Sequence, residues 1–572
     1  MYEKNGLEER RKAMSSYVNG TIDNGKGRTS VRTESGTRLL DVLREVGAEI
    51  TAPCGGNGTC GKCRVRAVGV LSEMGDDERR FLDENEIARG VRLACKCRAL
   101  GDFEVYLADD ALHVETDYKT VSYTLSPMIH AVRDAAKTTF FFDGAPLDTA
   151  APDAANLGLA VDIGTTTVAV YLCDMDTGEV VGTRGFRNPQ ASYGADVISR
   201  IDKIMKDPAA LKEEQRLIVD AIGKITAELC AACGGTSSDV RAAVFCGNTV
   251  MQHIAAGIDP SSIACAPFTA PTLFGEYYRA DAVGLSIFPA APIYFAPCFA
   301  SYVGGDIACG MIAAGLDHPS DNVLFIDIGT NGEIGLSTKN GLYFCSAAAG
   351  PAFEGAHIEC GMAGTSGAVS EIFLDGEGIA YRTIGGGAPA GICGSGIIDA
   401  AAVMLDAGLL DDTGRIADKD EAGKYASYIG EDADGNSSFV IDAERSIYMT
   451  GKDIREVQLA KAAICAGIYT LLDKARLSLS EVTSVVLAGG FGSHINKRSA
   501  CRIGLIPREL DGKIISAGNT AGAGAVAILL GKEPREAART ICGRSDYTEL
   551  SQSAFFMEKY IEEMMFEEDI DG

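Results

Sequence analysis

Four cysteines carry the strongest chemical signal in this chain. Cys54, Cys60 and Cys63 stand at C-x5-C-x2-C spacing within PCGGNGTCGKC, and Cys95 follows in RLACKC after 31 intervening residues. Three thiolates on one loop and a fourth from a distant segment can enclose an iron–sulfur cluster; plant-type 2Fe–2S proteins use C-x4-C-x2-C with a remote fourth cysteine. Gly55, Gly56, Gly58 and Gly61 let the backbone wrap closely and turn N–H groups toward sulfur. Structural zinc sites use paired short C-x2-C spacings. Only Cys60/Cys63 and Cys95/Cys97 approach that pattern, so the spacing favours a cluster and leaves Cys97 as a competing fourth ligand. Cys230 and Cys233 lie on an Ala-rich helical stretch with no second pair and read as packing residues.

A second signal is a repeat. Residues 157–172 read LGLAVDIGTTTVAVYL and residues 322–336 read NVLFIDIGTNGEIGL. Each is an apolar strand, Asp-Ile-Gly-Thr, a polar turn and a second apolar strand, which predicts two similar half-domains. A Gly-Thr turn offers backbone N–H groups and hydroxyls to phosphate oxygens. The candidate phosphate binders are Gly164, Thr165 and Thr166 in the first copy and Gly329, Thr330 and Asn331 in the second. Asp162 and Asp327 end the leading strands, where a carboxylate can hold hydrated magnesium beside phosphates. A third element, VVLAGGFGSHI at 485–495, runs a strand into Gly489 and Gly490, where a flat purine can lie on the backbone. Gly394-Ser395-Gly396 opens a further helix and reads equally as an anion site or as tight helix–strand packing.

The elements that must position these residues follow from the remaining sequence. With 572 residues the chain exceeds one domain, and 46% hydrophobic with 23% charged residues excludes wholesale disorder. The 79 acidic and 52 basic residues give a net charge of −27, against a nucleic-acid partner, which needs a basic footprint. No apolar run approaches the roughly 18 residues of a membrane span, and the N-terminus carries no apolar signal segment, so the expected location is cytoplasmic, away from membranes. Eighteen cysteines in such a chain are expected to be reduced. Residues 1–27 read as a flexible tail, 28–110 as the cysteine-bearing domain, and 111–156 as a linker or reduced middle domain. Apolar strands alternating with Ala-rich helices over 157–545 predict an α/β unit in two lobes, followed by a C-terminal helix and acidic end over 546–572.

The cysteine segment resembles 2Fe–2S ferredoxin domains of the β-grasp type. Its five-residue first gap matches the adrenodoxin-like pattern, and Cys95 takes the family's RLAC placement. The two phosphate turns and the Gly-Gly loop resemble the acetate/sugar kinase, heat-shock chaperone and actin superfamily. There, a helix before the second phosphate strand carries an acid near the attacking water. YVGGDIACGMIAAGL at 302–316 places Asp306 in that role, and AGAGAVAILL at 521–530 is similar to the second interdomain helix. The combination resembles the reductive activators of corrinoid proteins over roughly residues 28–567. GNTVMQHIAAGIDP, AAAGPAFEGAHIECGM and GICGSGIIDAAAVMLDAGLLD match that family too.

The resemblance implies an α+β multidomain chain, a β-grasp ferredoxin domain followed by a two-lobed actin-like ATPase. Its cofactors would be a 2Fe–2S cluster on Cys54, Cys60, Cys63 and Cys95, with ATP and Mg between the lobes. Asp162, Asp306 and Asp327 would be the catalytic acids. It also implies ATP-dependent reduction of Co(II) to Co(I) in a corrinoid protein, a low-potential electron donor and a possible homodimer. A plant-type cluster sits near about −400 mV, and each roughly 59 mV of shortfall costs a factor of ten for one electron, so ATP must supply the push. The alternatives are a ferredoxin-linked small-molecule kinase of the same superfamily, an activator of a radical dehydratase, and a non-catalytic ATP-dependent binding module, against which the cysteines argue.

Overall fold

Alternation of apolar and polar residues sets the N-terminal sheet in the computed structural model, which describes residues 17–567 apart from 24–27, 49, 51, 53–55, 57, 59–60, 62, 83–85, 88, 108–121, 195, 319–320 and 377. Strands β1 (Tyr17–Asp23) and β2 (Arg28–Glu34) form an antiparallel hairpin, and helix α1 (Leu39–Glu45) follows. Strands β3 (Arg64–Leu71), β4 (Val91–Leu93) and β5 (Ala99–Tyr106) complete a sheet of order β2-β1-β5-β3-β4. Leu39, Leu40, Val42 and Leu43 of α1 are buried against it. Residues 17–23 therefore belong to the domain, and the flexible-tail reading of 1–27 fails over β1. Val18 and Ile22 point into the core, and Gly20 lies flat on the Phe103 ring, where a Cβ would come within 2.2 Å. The polar residues between them hid the period of two.

Residues 129–150 are folded as well. Strands β6 (Ile129–Arg133), β7 (Thr138–Phe142) and β8 (Ala145–Ala150) make an antiparallel meander. Ile129 and Phe140 are fully buried in a core shared with the next domain. Ser126 and Met128 donate backbone N–H bonds to the carbonyls of Leu530 and Leu529, both 2.8–2.9 Å. The Arg241 guanidinium lies 3.7 Å over the Phe140 ring.

The remaining chain builds one topology twice. In the first lobe, β9 (Leu157–Ile163), β10 (Thr167–Asp174) and β11 (Val180–Arg187) are antiparallel neighbours. Helix α2 (Ala209–Ala232) leads to β12 (Val240–Gly247), parallel to β9; β13 (Glu276–Arg279) and β14 (Pro292–Phe295) finish the sheet, with β14 parallel to β12. Helix α3 (Gly305–Ala313) then crosses to the second lobe. There, β15 (Val323–Ile328), β16 (Gly332–Thr338) and β17 (Gly341–Ala347) repeat the antiparallel triplet. Two small sheets are inserted next: β18 (Ala368–Asp375), β19 (Gly378–Thr383) and β20 (Gly391–Ile392), with helix α4 (Gly394–Asp406), then β21 (Ile429–Glu431), β22 (Ser437–Asp442) and β23 (Ile447–Thr450). Helix α5 (Gly451–Ala475) precedes β24 (Ser484–Ala488), parallel to β15. Helix α6 (Gly489–His494), β25 (Ile514–Ser516), parallel to β24, and helix α7 (Thr520–Leu530) follow. Strand β26 (Ser545–Tyr547) joins the open edge beside β17, and helix α8 (Ala554–Glu562) packs on α5.

Both lobes share the strand order third-second-first-fourth, each continued by a further parallel strand, β14 in the first and β25 in the second, the duplicated architecture expected from the repeat. Helices α3 and α7 meet between the lobes with their small residues in contact. A Cβ on Gly524 would fall 2.0 Å from the Cys309 carbonyl oxygen, and one on Gly310 would fall 2.6 Å from the Phe325 ring. Among the described residues no helix is long and apolar enough to cross a membrane. Because Gly524 faces backbone that cannot swing aside, Gly524→Val is expected to lose on the order of 1–3 kcal/mol or more, measured by urea denaturation of the nucleotide-free protein.

Candidate cluster and nucleotide sites

Parallel pairing decides where the repeated aspartates go. Asp162 ends β9 opposite Cys246 of β12, and Asp327 ends β15 opposite Ala488 of β24. Both therefore stand at the carboxyl ends of parallel strands, the edge where open α/β sheets bind ligands. The Gly164 and Gly329 turns follow immediately. A Cβ on Gly164 would meet the Thr167 carbonyl at 2.6 Å, whereas at Gly329 the nearest atoms are 3.7 Å away.

The first turn is held from behind. Asn188 donates its backbone N–H to the Thr166 carbonyl and its side-chain amide to the Gly164 carbonyl, both at 2.8 Å. The buried Arg200 guanidinium donates to the Thr165 carbonyl at 2.6 Å, and to the Gly194 carbonyl and Gln190 Oε1. Three consecutive carbonyls are thereby turned away from the cleft. The second turn is tied differently: Glu354 accepts from the Thr330 hydroxyl at 2.6 Å and from the Thr166 hydroxyl at 3.4 Å, bridging the two turns.

Gly489 has φ 77°, and a Cβ there would lie 2.3 Å from Asp327 Oδ1. The first glycine of the Gly489–Gly490 pair thus lets the chain pass against the Asp327 carboxylate, beside any base it receives. The neighbouring loop brings Asn519, whose side-chain amide donates to Asp162 Oδ2 at 2.9 Å. Asp306 lies in the first turn of α3, beyond the Gly304 N-cap position, so it does not serve as the capping residue. A Cβ on Gly304 would come within 2.5 Å of Asn248 Cα, so the helix start abuts the end of β12.

The electrostatics of this cleft are one-sided. Burial and the charges of Asp327 and Asp162 push Asp306 up to about 8. Burial and Asp162 raise Asp327 to about 7, and burial raises Asp162 to about 6 against the Asn519 and Cys246 hydrogen bonds. Glu333, one residue past the second turn's Asn331-Gly332, is held well above the usual range by burial, Asp306 and Asp327. Burial raises Glu354 too, opposed by the two threonine hydroxyls. Among the described residues no three His, Cys, Asp or Glu side chains converge as a self-sufficient metal centre. The donor set fits a magnesium ion completed by water and phosphate, which takes only one or two carboxylates. Glu333, Glu354 and Asn519 were absent from the sequence-derived site. Glu333 stood next to the repeated turn in TNGE and was within reach of the pattern.

In the N-terminal domain Cys63 and Cys95 are buried in one core, and the Ala94 N–H donates to the Cys63 carbonyl at 2.9 Å. Gly56 faces Cys95, where a Cβ would lie 3.9 Å from that of the cysteine, and Gly56, Gly58 and Gly61 all have positive φ. Cys54 and Cys60 lie outside the described residues. Cys97 occupies different surroundings, with Ser72 and the buried Glu78–Arg92 ion pair, and burial pushes its thiol up to about 11. Two buried thiols beside positive-φ glycines fit a cluster whose ligands must be thiolates. Gly394 and Gly396 are explained by packing: a Cβ on either would lie within 1.9–2.2 Å of the Phe353 or Val369 carbonyl.

A ferredoxin-type domain ahead of a duplicated, acid-lined nucleotide cleft defines an ATPase coupled to electron transfer. Family models bear this out along the chain: a 2Fe-2S iron-sulfur cluster binding domain matches residues 21–100, the RACo middle region 157–319, and the C-terminal domain of RACo, the ASKHA domain, 321–571. A solved reductive activator for corrinoid,iron-sulfur protein is 31% identical with a TM-score of 0.69, covering 96% of this chain and 98% of that one. The chain belongs to this family, the reductive activators of corrinoid proteins. The corrinoid activation enzyme RamQ of Eubacterium limosum is 29% identical over 574 residues, covering 93% of this chain and 96% of its own. The Co(II) methylated amine-specific corrinoid protein reductase of Methanosarcina barkeri is 23% identical, covering 72% and 77%.

The raised carboxylates make stability depend on pH. Unfolded Asp306 loses its proton near its ordinary value of 3.8, but in the fold it does so only near about 8. Between those limits the unfolded state binds fewer protons, so this group's contribution falls as pH rises. Calorimetry of the nucleotide-free protein should show Asp306→Asn melting above wild type at pH 8, with the gap closing toward pH 4. A gap independent of pH would contradict this electrostatic account.

Proposed function

We propose that this protein reactivates a corrinoid protein by ATP-dependent, one-electron reduction of its Co(II) centre to Co(I). The observation that carries this reading is correspondence along the whole chain, in the same domain order, with a reductive activator for corrinoid,iron-sulfur protein. The 2Fe–2S cluster supplies the one-electron carrier, filled by a low-potential donor. Cys54, Cys60, Cys63 and Cys95 are its ligands in this reading. The separate, packed environment of Cys97 supports the choice of Cys95.

The nucleotide half rests on the cleft. N–H groups of Gly164, Thr165 and Thr166, and those of Gly329, Thr330 and Asn331, bind phosphate oxygens from opposite lobes. Asp162 and Asp327 hold the water shell of a magnesium ion, and Asn519 keeps Asp162 oriented. Asp306 orients a water molecule and accepts its proton, a role matched to its raised affinity for protons. Gly489 and Gly490 line the base. Closure of the lobes across the α3–α7 contact carries the conformational push to the electron donor. The partner is a corrinoid protein, with no part for nucleic acid.

Single substitutions separate the halves. Cys95→Ser should abolish the cluster's visible absorbance and Co(I) formation while leaving ATP affinity unchanged. Asp327→Asn should retain the absorbance yet lower ATP-dependent Co(I) formation by at least roughly tenfold to a hundredfold, the loss seen when even outer-shell partners of a metal site are removed. If Cys95→Ser still reduced cobalt, the cluster assignment would be wrong.

A further inference from the structure

One side chain of the N-terminal domain, Arg44, reaches into the ATPase domain. Arg44, in the last turn of α1, is buried, with only 7% of its surface exposed. Its guanidinium donates to the Ser192 carbonyl and lies 4.8 Å over the Tyr193 ring. Both partners belong to the segment 188–194 that carries Asn188, holds the backs of Gly164 and Thr166, and supplies the Gly194 carbonyl to Arg200. Gly56 lies close by on the N-terminal side: a Cβ there would come 3.8 Å from Arg44 Nη2 and 2.7 Å from Leu40 Cδ2. Arg44 thus stands near Gly56 and against the segment that shapes the first phosphate turn.

The joint also holds a buried acid. Glu214 of α2 is fully buried, and among the described residues neither carboxylate oxygen is hydrogen-bonded. Burial pushes it up to about 8, opposed in part by the charges of Arg200 and Arg44. Gln190 ties the segment to the same helix turn, donating to the Glu214 carbonyl at 3.0 Å. Guanidiniums from two domains therefore act on one buried acid, whose proton affinity depends on where they stand.

We propose that Arg44 is a positioning residue that couples the two domains: phosphate occupancy of the Gly164–Thr166 turn is transmitted through segment 188–194 to Arg44 and sets the seat of helix α1 on the first lobe. The inference rests on reading that turn as a phosphate site. Its order is local: turn carbonyls, Asn188 and Arg200, Ser192 and Tyr193, Arg44, Gly56. Arginine suits the position because its planar guanidinium stacks and donates at once, which a lysine does not reproduce.

The test is hydrogen exchange on the full-length, cluster-loaded protein with and without ATP–Mg, with ATP affinity measured on the same samples by calorimetry. In wild type, ATP should change exchange of amides in 39–46 by at least about threefold, the scale of a modest shift in local opening. In Arg44→Gln, and independently in Tyr193→Ala on the ATPase side, that change should vanish while ATP still binds and the cluster absorbance persists. The ratio of Co(I) formation with and without ATP should fall toward one in both. Wild type that binds ATP without any response in 39–46, or variants that keep the full response, would overturn the coupling. Failure of ATP to bind would overturn the reading of the turn itself.

Discussion

A phosphate-binding turn works only if its N–H groups face the ligand, and a short turn achieves that only when its carbonyls have partners elsewhere. In the first lobe all three carbonyls of Gly164, Thr165 and Thr166 are taken by Asn188 and Arg200. Much else depends on this. Arg200 must be buried to reach them, and burial lowers its proton affinity while it raises that of the buried Glu214, each opposed in part by the charge of the other. The segment that carries Asn188 is also the surface on which the N-terminal domain rests. The local chemistry of one turn thus reaches the contact between the domains.

Across the cleft the constraint is charge. Burial raises the proton affinity of Asp162, Asp306, Asp327 and Glu333, the charges of Asp162, Asp306 and Asp327 add to it at their neighbours, and hydrogen bonds from Asn519, Cys246 and backbone N–H groups compensate in part. A site that concentrates acids in this way is primed for a cation and the phosphates it brings. The small residues of α3 and α7 keep the acids close, since Gly524 and Gly310 allow the helices to approach to backbone contact.

The sequence made much of this legible through repetition. Asp162 and Asp327 were found because the same strand, turn and strand occur twice, and the sheets they belong to share the order third-second-first-fourth. The cysteine loop was found by spacing. The remaining site residues had no such signal. Asn519 meets Asp162 across 357 positions, Glu354 meets Thr166 across 188, and Arg44 meets Ser192 across 148. Only the folded chain brings them together. Strand β1 and the meander β6–β8 were missed because short strands with interspersed Gly, Thr and Asp carry little periodicity, and their place is fixed by partners such as Phe103, Leu529 and Leu530.

The central claim is that one chain carries the electron and spends ATP to deliver it. Anaerobic stopped-flow with the pre-reduced protein and a Co(II) corrinoid protein follows both chromophores at once. With ATP–Mg, oxidation of the cluster and appearance of the Co(I) band should share one rate constant and a one-to-one stoichiometry, and without nucleotide both should be slow. Co(I) appearing without cluster oxidation, or at the same rate without ATP, would contradict the account.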